Sequence, residues 1–187
     1  LQLVEAGKIR LNDPVTRHLP EFQAGKSSMT IRNLMTHFSG LRPDLDLEPA
    51  WSGYETGIRL ALSDKPKFAP GERFVYSDIN YILLGEIVRR LSGEPLPDYV
   101  RRILFEPLGM TDSLFQPPES LARRIAPTDR TSKNGPPLRG VVHDPTSRYM
   151  GGVAGHAGLY STADDLARFA QMMLNQVASL AAPEPRL

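Results

Sequence analysis

The sequence contains no cysteine, so disulfides and thiol chemistry are excluded. That fits any compartment, because exported bacterial proteins often lack disulfides as well. It has no excess of one charge: 22 basic and 21 acidic residues leave a formal net charge of +1. Basic residues are mixed with acidic ones along the chain, which excludes the basic stripe of a nucleic-acid binder. No apolar run is long enough to span a bilayer as a helix. There is no G-x-x-x-x-G-K-[ST], no G-x-G-x-x-G, no G-x-S-x-G elbow and no H-E-x-x-H, so phosphate cradles, dinucleotide sites and the commonest hydrolase and zinc signatures are missing. The four histidines, His18, His37, His143 and His156, lack close ligand spacing. Neither a metal nor a cofactor is expected from these patterns. There is no initiating methionine either; the first residue is Leu1, so the lack of a visible signal peptide says nothing about export.

What is present is enough for one domain with a core: 187 residues, 41% apolar and 23% charged, in the range of a soluble globular protein. The opening "LQLVEAGKIRL" reads as the last turns of a helix stopped by Gly7, with no N-cap before it. A helix without a beginning leads to the expectation that the chain was cut from something larger. "NDPVTRHLPEF" reads as an extended or turn segment broken by Pro14 and Pro20. "TIRNLMTHFSG" places Thr30 at an N-cap, Ile31, Leu34, Met35 and Phe38 on one face, and Gly40 at the stop.

A helix is expected over Tyr54 to Leu62. A Pro-Gly turn in "FAPGERFVYS" leads into an extended piece. "SDINYILLGEIVRRLSG" carries the strongest helical periodicity, with Ser77 or Asp78 as N-cap and Gly93 at the end. "PDYVRRILFEPLGM" predicts another helix with a proline stop. Residues 116 to 150 read as a long irregular excursion. "HAGLYS" reads as a strand, and "TADDLARFAQMMLN" as a helix with Thr162 and Asp165 in a capping-box arrangement. The last dozen residues lose the pattern. This divides the chain into a domain over 1–175 and a tail over 176–187.

Two segments could carry chemistry. Tyr76 and Ser77 precede a helix N-terminus, whose N–H groups favour anions, and a phenol in that field loses its proton more easily. The alternative is that Tyr76 is a half-buried aromatic while Ser77 and Asp78 cap the helix. In "GGVAGHAGLYS", glycines at a strand start let a ligand or another backbone approach closely, and His156 projects beside that approach as a hydrogen-bonding group or partial charge. The alternative there is a glycine-rich loop holding an ordinary histidine.

Taken together, these segments resemble the serine β-lactamase and penicillin-binding-protein family, in its class C-like, esterase and DD-peptidase branch. That family carries S-x-x-K, then Y-x-N, then K-[ST]-G or H-x-G before a strand. Tyr76-Ser77-Asp78 resembles the second motif and His156-Ala157-Gly158 the third. The flanking text, from "LQLVEAGKIRLNDPVTRHLPEF" through "PGERFVYSDINYILLGEIVRRLSG" to "GGVAGHAGLYSTADDLARFAQMMLN", extends the resemblance over nearly all of residues 1 to 175. It implies an α+β, β-lactamase/transpeptidase-like fold, here dominated by the helical region with an incomplete antiparallel sheet.

The resemblance also implies roles. The backbone N–H of Leu159 would be an oxyanion-hole donor, His156 would face the substrate's carboxylate or leaving side, and Tyr76 would move protons near the nucleophile. The implied ligand is a small-molecule or peptide substrate of peptidoglycan type. The implied compartment is periplasmic or extracytoplasmic. No nucleic-acid partner is expected, and the sequence does not set the oligomeric state.

The chain departs from the family pattern in four ways. No serine is followed three residues on by lysine, so S-x-x-K is absent; the resemblance places it just upstream of Leu1. Sheet strands drawn from the chain ends are missing, which leads to the expectation of marginal stability or self-association. Asp78 stands where asparagine is usual, and an ionised carboxylate cannot donate to a substrate carbonyl and repels anions. Histidine replaces the lysine of the third motif, and its hold on a carboxylate weakens above about pH 6.5. These departures point to a peptidase or esterase parent rather than an efficient β-lactamase, with this chain inactive alone. The other reading is a non-catalytic module that binds peptidoglycan peptides.

Overall fold

The computed structural model describes residues 1–22, 28–130 and 137–175. The tail expected over 176–187 lies outside the described residues. The chain forms two compact units, one from Leu1–Leu96 with Val142–Gly158 and one from Pro97–Val141 with the chain from Leu159 on.

The first unit is helical. Its elements before the central helix are α1 (Gln2–Glu5), α2 (Val15–His18), α3 (Ile31–Met35) and α4 (Tyr54–Ser63). α2 occupies part of the segment expected to be extended. Pro14 is its N-cap and only four residues follow before the chain turns, too short a run to show periodicity. Thr30 caps α3 as expected: its hydroxyl accepts from Asn33 N while its own N–H donates to Asn33 Oδ1 at 2.9 Å. That helix ends at Met35 rather than at Gly40, because His37 adopts a left-handed backbone with φ 59°.

The central helix α5 (Asp78–Ser92) buries Ile79, Ile82, Leu83 and Ile87. Each such side chain is worth about 2 kcal/mol of transfer free energy. α3 and α4 pack against α5, and Gly93 ends it in a left-handed cap with φ 76°. Glu86 is fully buried in this helix and neutralised in place. It accepts from Arg89 Nε at 2.7 Å, Arg90 Nε at 2.6 Å and Tyr54 Oη at 3.0 Å.

In the second unit, α6 (Leu96–Val100), a π-helical stretch over Arg101–Phe105 and α7 (Glu106–Leu108) run in succession to Gly109, where φ 65° ends the helix. The expected proline stop is displaced: Pro107 lies inside α7, and Gly109 ends the run. β1 (Leu114–Phe115) follows, then a 3₁₀ turn over Glu119–Arg124 and the hairpin of β2 (Asp129–Arg130) with β3 (Pro137–Leu138). Back in the first unit comes α8 (Pro145–Tyr149). The stretch expected to be irregular from 116 to 150 therefore holds short elements, none long enough to show a period.

β4 (Leu159–Tyr160) pairs antiparallel with β1, Phe115 opposite Leu159. α9 (Ala163–Leu174) packs on α7. Thr162 caps α9 by accepting from Asp165 N, but the expected reciprocal half of the box is spent elsewhere. The buried Asp165 carboxylate accepts from Asp112 N at 2.9 Å and Ser113 Oγ at 2.8 Å. Leu166, Phe169, Met173 and Leu174 of α9 remain exposed.

Candidate active site

The second-motif segment is held by the loop after α3. Ser77 is fully buried; its N–H donates to His37 Nδ1 at 3.1 Å and its hydroxyl to the Arg42 carbonyl at 2.6 Å. It stands at the N-cap of α5, yet its side chain caps nothing. The expectation that Ser77 or Asp78 merely caps the helix is thereby corrected: the hydroxyl is drawn away by a carbonyl, and Asp78 is already the first helical residue. Accepting from Ser77, Nδ1 of His37 carries the lone pair and Nε2 the proton.

The ring of His37 stacks on Tyr76 with centroids 4.6 Å apart and also meets Phe74 and Tyr81. Tyr76 is 62% exposed, so the half-buried alternative does not hold. Asn80 lies fully buried one turn into α5, accepts from Ser39 Oγ at 2.6 Å and places Nδ2 3.2 Å from His37 Nδ1. His37, Ser39 and Asn80 support the motif and were not expected from the sequence.

The third-motif segment packs against α5. A Cβ on Gly155 would sit 2.0 Å from the Tyr81 carbonyl oxygen and 3.0 Å from Gly85 N, so the glycine lets two backbones touch. Ala157 is pinned by its carbonyl, which accepts from Ala154 N at 3.1 Å and Ser147 Oγ at 3.3 Å. Gly158 turns the chain with φ 114°. The strand expected over "HAGLYS" is therefore shortened to Leu159–Tyr160, and His156, Ala157 and Gly158 lie in the bend before it.

His156 is not an open cation. Its side chain is only 4% exposed and its Nε2 lies 2.8 Å from Asp144 Oδ1. Asp144 is the N-cap of α8, accepting from Ser147 N at 2.6 Å ahead of Pro145. An aspartate followed by proline is a helix-start signal, and it could have been found in "HDPTSRY". Burial works to raise the Asp144 carboxyl, but the His156 bond, the Ser147 N–H and the charges of His156 and His143 outweigh it and hold the group below the usual range.

The two motif segments meet here. One ligating atom each from Asp78, Asp144 and His156 all lie within 4.8 Å of one another. Asp78 is pushed up by burial; His156 and His37 oppose this, and the charges of Asp44 and Asp144 add to it. Its carboxylate makes no hydrogen bond among the described residues. This trio is also the group among the described residues with metal-ligating chemistry, although no spacing in the sequence announces it. Leu159 starts β4 in the second unit.

A sequence profile of the Beta-lactamase family matches residues 1–186. A protein of Escherichia coli (strain K12) named "Putative D-alanyl-D-alanine carboxypeptidase" is 31% identical over 205 residues, spanning 93% of this chain and 46% of the relative. Among solved structures, the octameric penicillin-binding protein homologue from Pyrococcus abyssi aligns with a TM-score of 0.73 at 28% identity, over 96% of this chain and 42% of that one. FmtA from Staphylococcus aureus shares the fold, with a TM-score of 0.76 at 22% identity over 97% of this chain and 49% of its own. The chain spans about half the length of the curated relatives it matches. No helix among the described residues is long and apolar enough to cross a membrane.

Proposed function

This chain belongs to the β-lactamase family, and from that premise we propose that it is part of a serine hydrolase that cleaves amide, peptide or ester bonds through an acyl-enzyme. Family membership carries the serine hydrolase-like function and the α+β, β-lactamase/transpeptidase-like fold; the roles below are our reading. The observation that carries it is the meeting of the two motif segments, with Asp78 and His156 brought within 4.8 Å from distant parts of the sequence.

Tyr76, exposed and backed by the His37 ring, moves the proton to and from the nucleophile and leaving group. The backbone N–H of Leu159 receives the oxyanion. His156, oriented by Asp144, faces the leaving side, and Asp78 lines the approach. Asp44, Asp78 and Asp144 together disfavour an anionic leaving side, so esters and amides are preferred over β-lactams and free peptide carboxylates. Residues 1–175 form the hydrolase part and 176–187 a tail. The ligand is a small-molecule or peptide substrate, with a peptidoglycan-type D-alanyl peptide, as its ester or C-terminal amide, the first to try.

The 187 residues contain no S-x-x-K, so the chain by itself has no activated nucleophile. Incubation with a fluorescent penicillin or a serine-reactive phosphonate is expected to leave its intact mass unchanged; a stoichiometric adduct would overturn this part of the reading. The same absence favours a second reading, a module that binds peptidoglycan peptides without cleaving them. Saturable binding of a D-alanyl peptide that is lost in His156→Ala, with no S-x-x-K in the complete coding sequence, would select it.

A further inference from the structure

Three donors of mixed chemistry converge where the motif segments meet, and they differ in how well they are satisfied. Asp144 is anchored by Ser147 N–H and by His156. Asp78, at the start of α5, has a carboxylate that bonds to nothing among the described residues. His156 retains 4% exposure at its side chain, and its Nε2 faces Asp144 Oδ1 at 2.8 Å, so a cation held by both takes the place of the proton they share. Asp78 is faced by Asp44 and Asp144 as well as by His156 and His37, and His143 acts on Asp144. Asp44 is itself engaged by the Thr146 hydroxyl at 2.8 Å.

We propose that Asp78, Asp144 and His156 bind a divalent transition-metal cation of the Zn²⁺ type. One imidazole nitrogen with two carboxylate oxygens suits Zn²⁺ and its neighbours, whereas Ca²⁺ and Mg²⁺ prefer oxygen throughout. Bonds of about 2.0–2.2 Å set tetrahedral ligand atoms roughly 3.4 Å apart. The group spans at most 4.8 Å, so closing it takes movements on the order of 1 Å. Asp78 is free to supply them. Asp144 keeps its Ser147 bond, which orients the carboxylate from behind as outer-shell partners of metal ligands do. Water fills the remaining position. On the reading given under Proposed function, an ion seated here occupies Asp78 and His156 together and so inhibits the hydrolase; the binding itself does not depend on that reading.

The test is calorimetric titration of Zn²⁺ alone into the 187-residue chain, with Co²⁺ absorption as a second readout of tetrahedral ligation. One ion per chain is expected to bind, with affinity falling about tenfold or more in each of Asp78→Asn, Asp144→Asn and His156→Gln. Circular dichroism melts establish that each variant is folded. Asp78→Asn removes no hydrogen bond seen here, so it reads ligation even if the other two fold poorly. Absence of saturable binding, or an Asp78→Asn affinity equal to that of the parent chain, overturns the proposal. Neither result touches the acyl-enzyme reading, because no catalysis is measured.

Discussion

His156 Nε2 and Asp144 Oδ1 lie 2.8 Å apart in a part-buried hydrogen-bonded pair, in which the aspartate simultaneously caps α8 through Ser147 N–H. One carboxylate thus sets both a helix start and the orientation of the third-motif histidine. Asp144→Asn is expected to cost about 1–2 kcal/mol at neutral pH. Because the Asp144 carboxyl is held below the usual range in the folded chain, its contribution is full above the unfolded value of about 4 and is lost as pH falls through the folded one. Urea denaturation of the two proteins should therefore differ at pH 7 and converge towards pH 2–3 on this linkage argument. A gap that persists unchanged into acid would contradict the pairing.

Gly155 permits the contact between the third-motif loop and α5. Adding a methyl group there drives it into the Tyr81 carbonyl, a backbone atom that cannot swing aside. Gly155→Ala is expected to destabilise the fold by about 1–3 kcal/mol and to displace His156 from Asp144. The imidazole signals of His156 in a ¹H–¹⁵N spectrum should then move, whereas His18, paired with Asp13, keeps its own. An unperturbed His156 would show that the loop does not need the close approach.

Asp78 stands where the Y-x-N pattern, on the resemblance described above, has an asparagine that would donate a hydrogen bond. Asp78→Asn removes a carboxylate that faces Asp44 and Asp144 and adds a donor worth about 1 kcal/mol. In the complete protein, cleavage of a D-alanyl peptide with a free carboxylate should rise by about tenfold relative to its C-terminal amide, the equivalent of roughly 1.4 kcal/mol. An unchanged ratio of kcat/KM between the two substrates would remove Asp78 from the leaving-side region.

Glu86 is buried and meets Arg89, Arg90 and Tyr54 at once. Glu86→Ala leaves those partners facing a void, and a loss of about 3 kcal/mol is expected. Chemical denaturation reads it directly. A loss below about 1 kcal/mol would mean the network contributes no more than a surface ion pair.

Local signals carried through to the structure. Thr30 and Thr162 cap their helices because the cap and its partner lie three residues apart, and the apolar period of α5 ends at Gly93. Signals that depend on distant partners did not. The Ser77 hydroxyl was available to cap α5 but is claimed by the Arg42 carbonyl. The Asp165 carboxylate was available to complete a box but is claimed by Asp112 and Ser113. The motif residues Tyr76, Asp78 and His156 were legible as short patterns, and Asp144 carried a helix-start signal before Pro145, but its link to Asp78 and His156 comes only from packing.

The most direct measurement uses the complete coding sequence that contains this chain. The protein is labelled with a serine-reactive phosphonate, the modified peptide is mapped, and acyl-ester turnover is followed in the parent, Tyr76→Phe and His156→Ala. An adduct on a serine outside residues 1–187, with turnover slowed about 100-fold or more in Tyr76→Phe, is the expected result. An adduct within residues 1–187, or turnover at the parental rate in both variants, would contradict the assignment of Tyr76 and His156 to a serine acyl-transfer site.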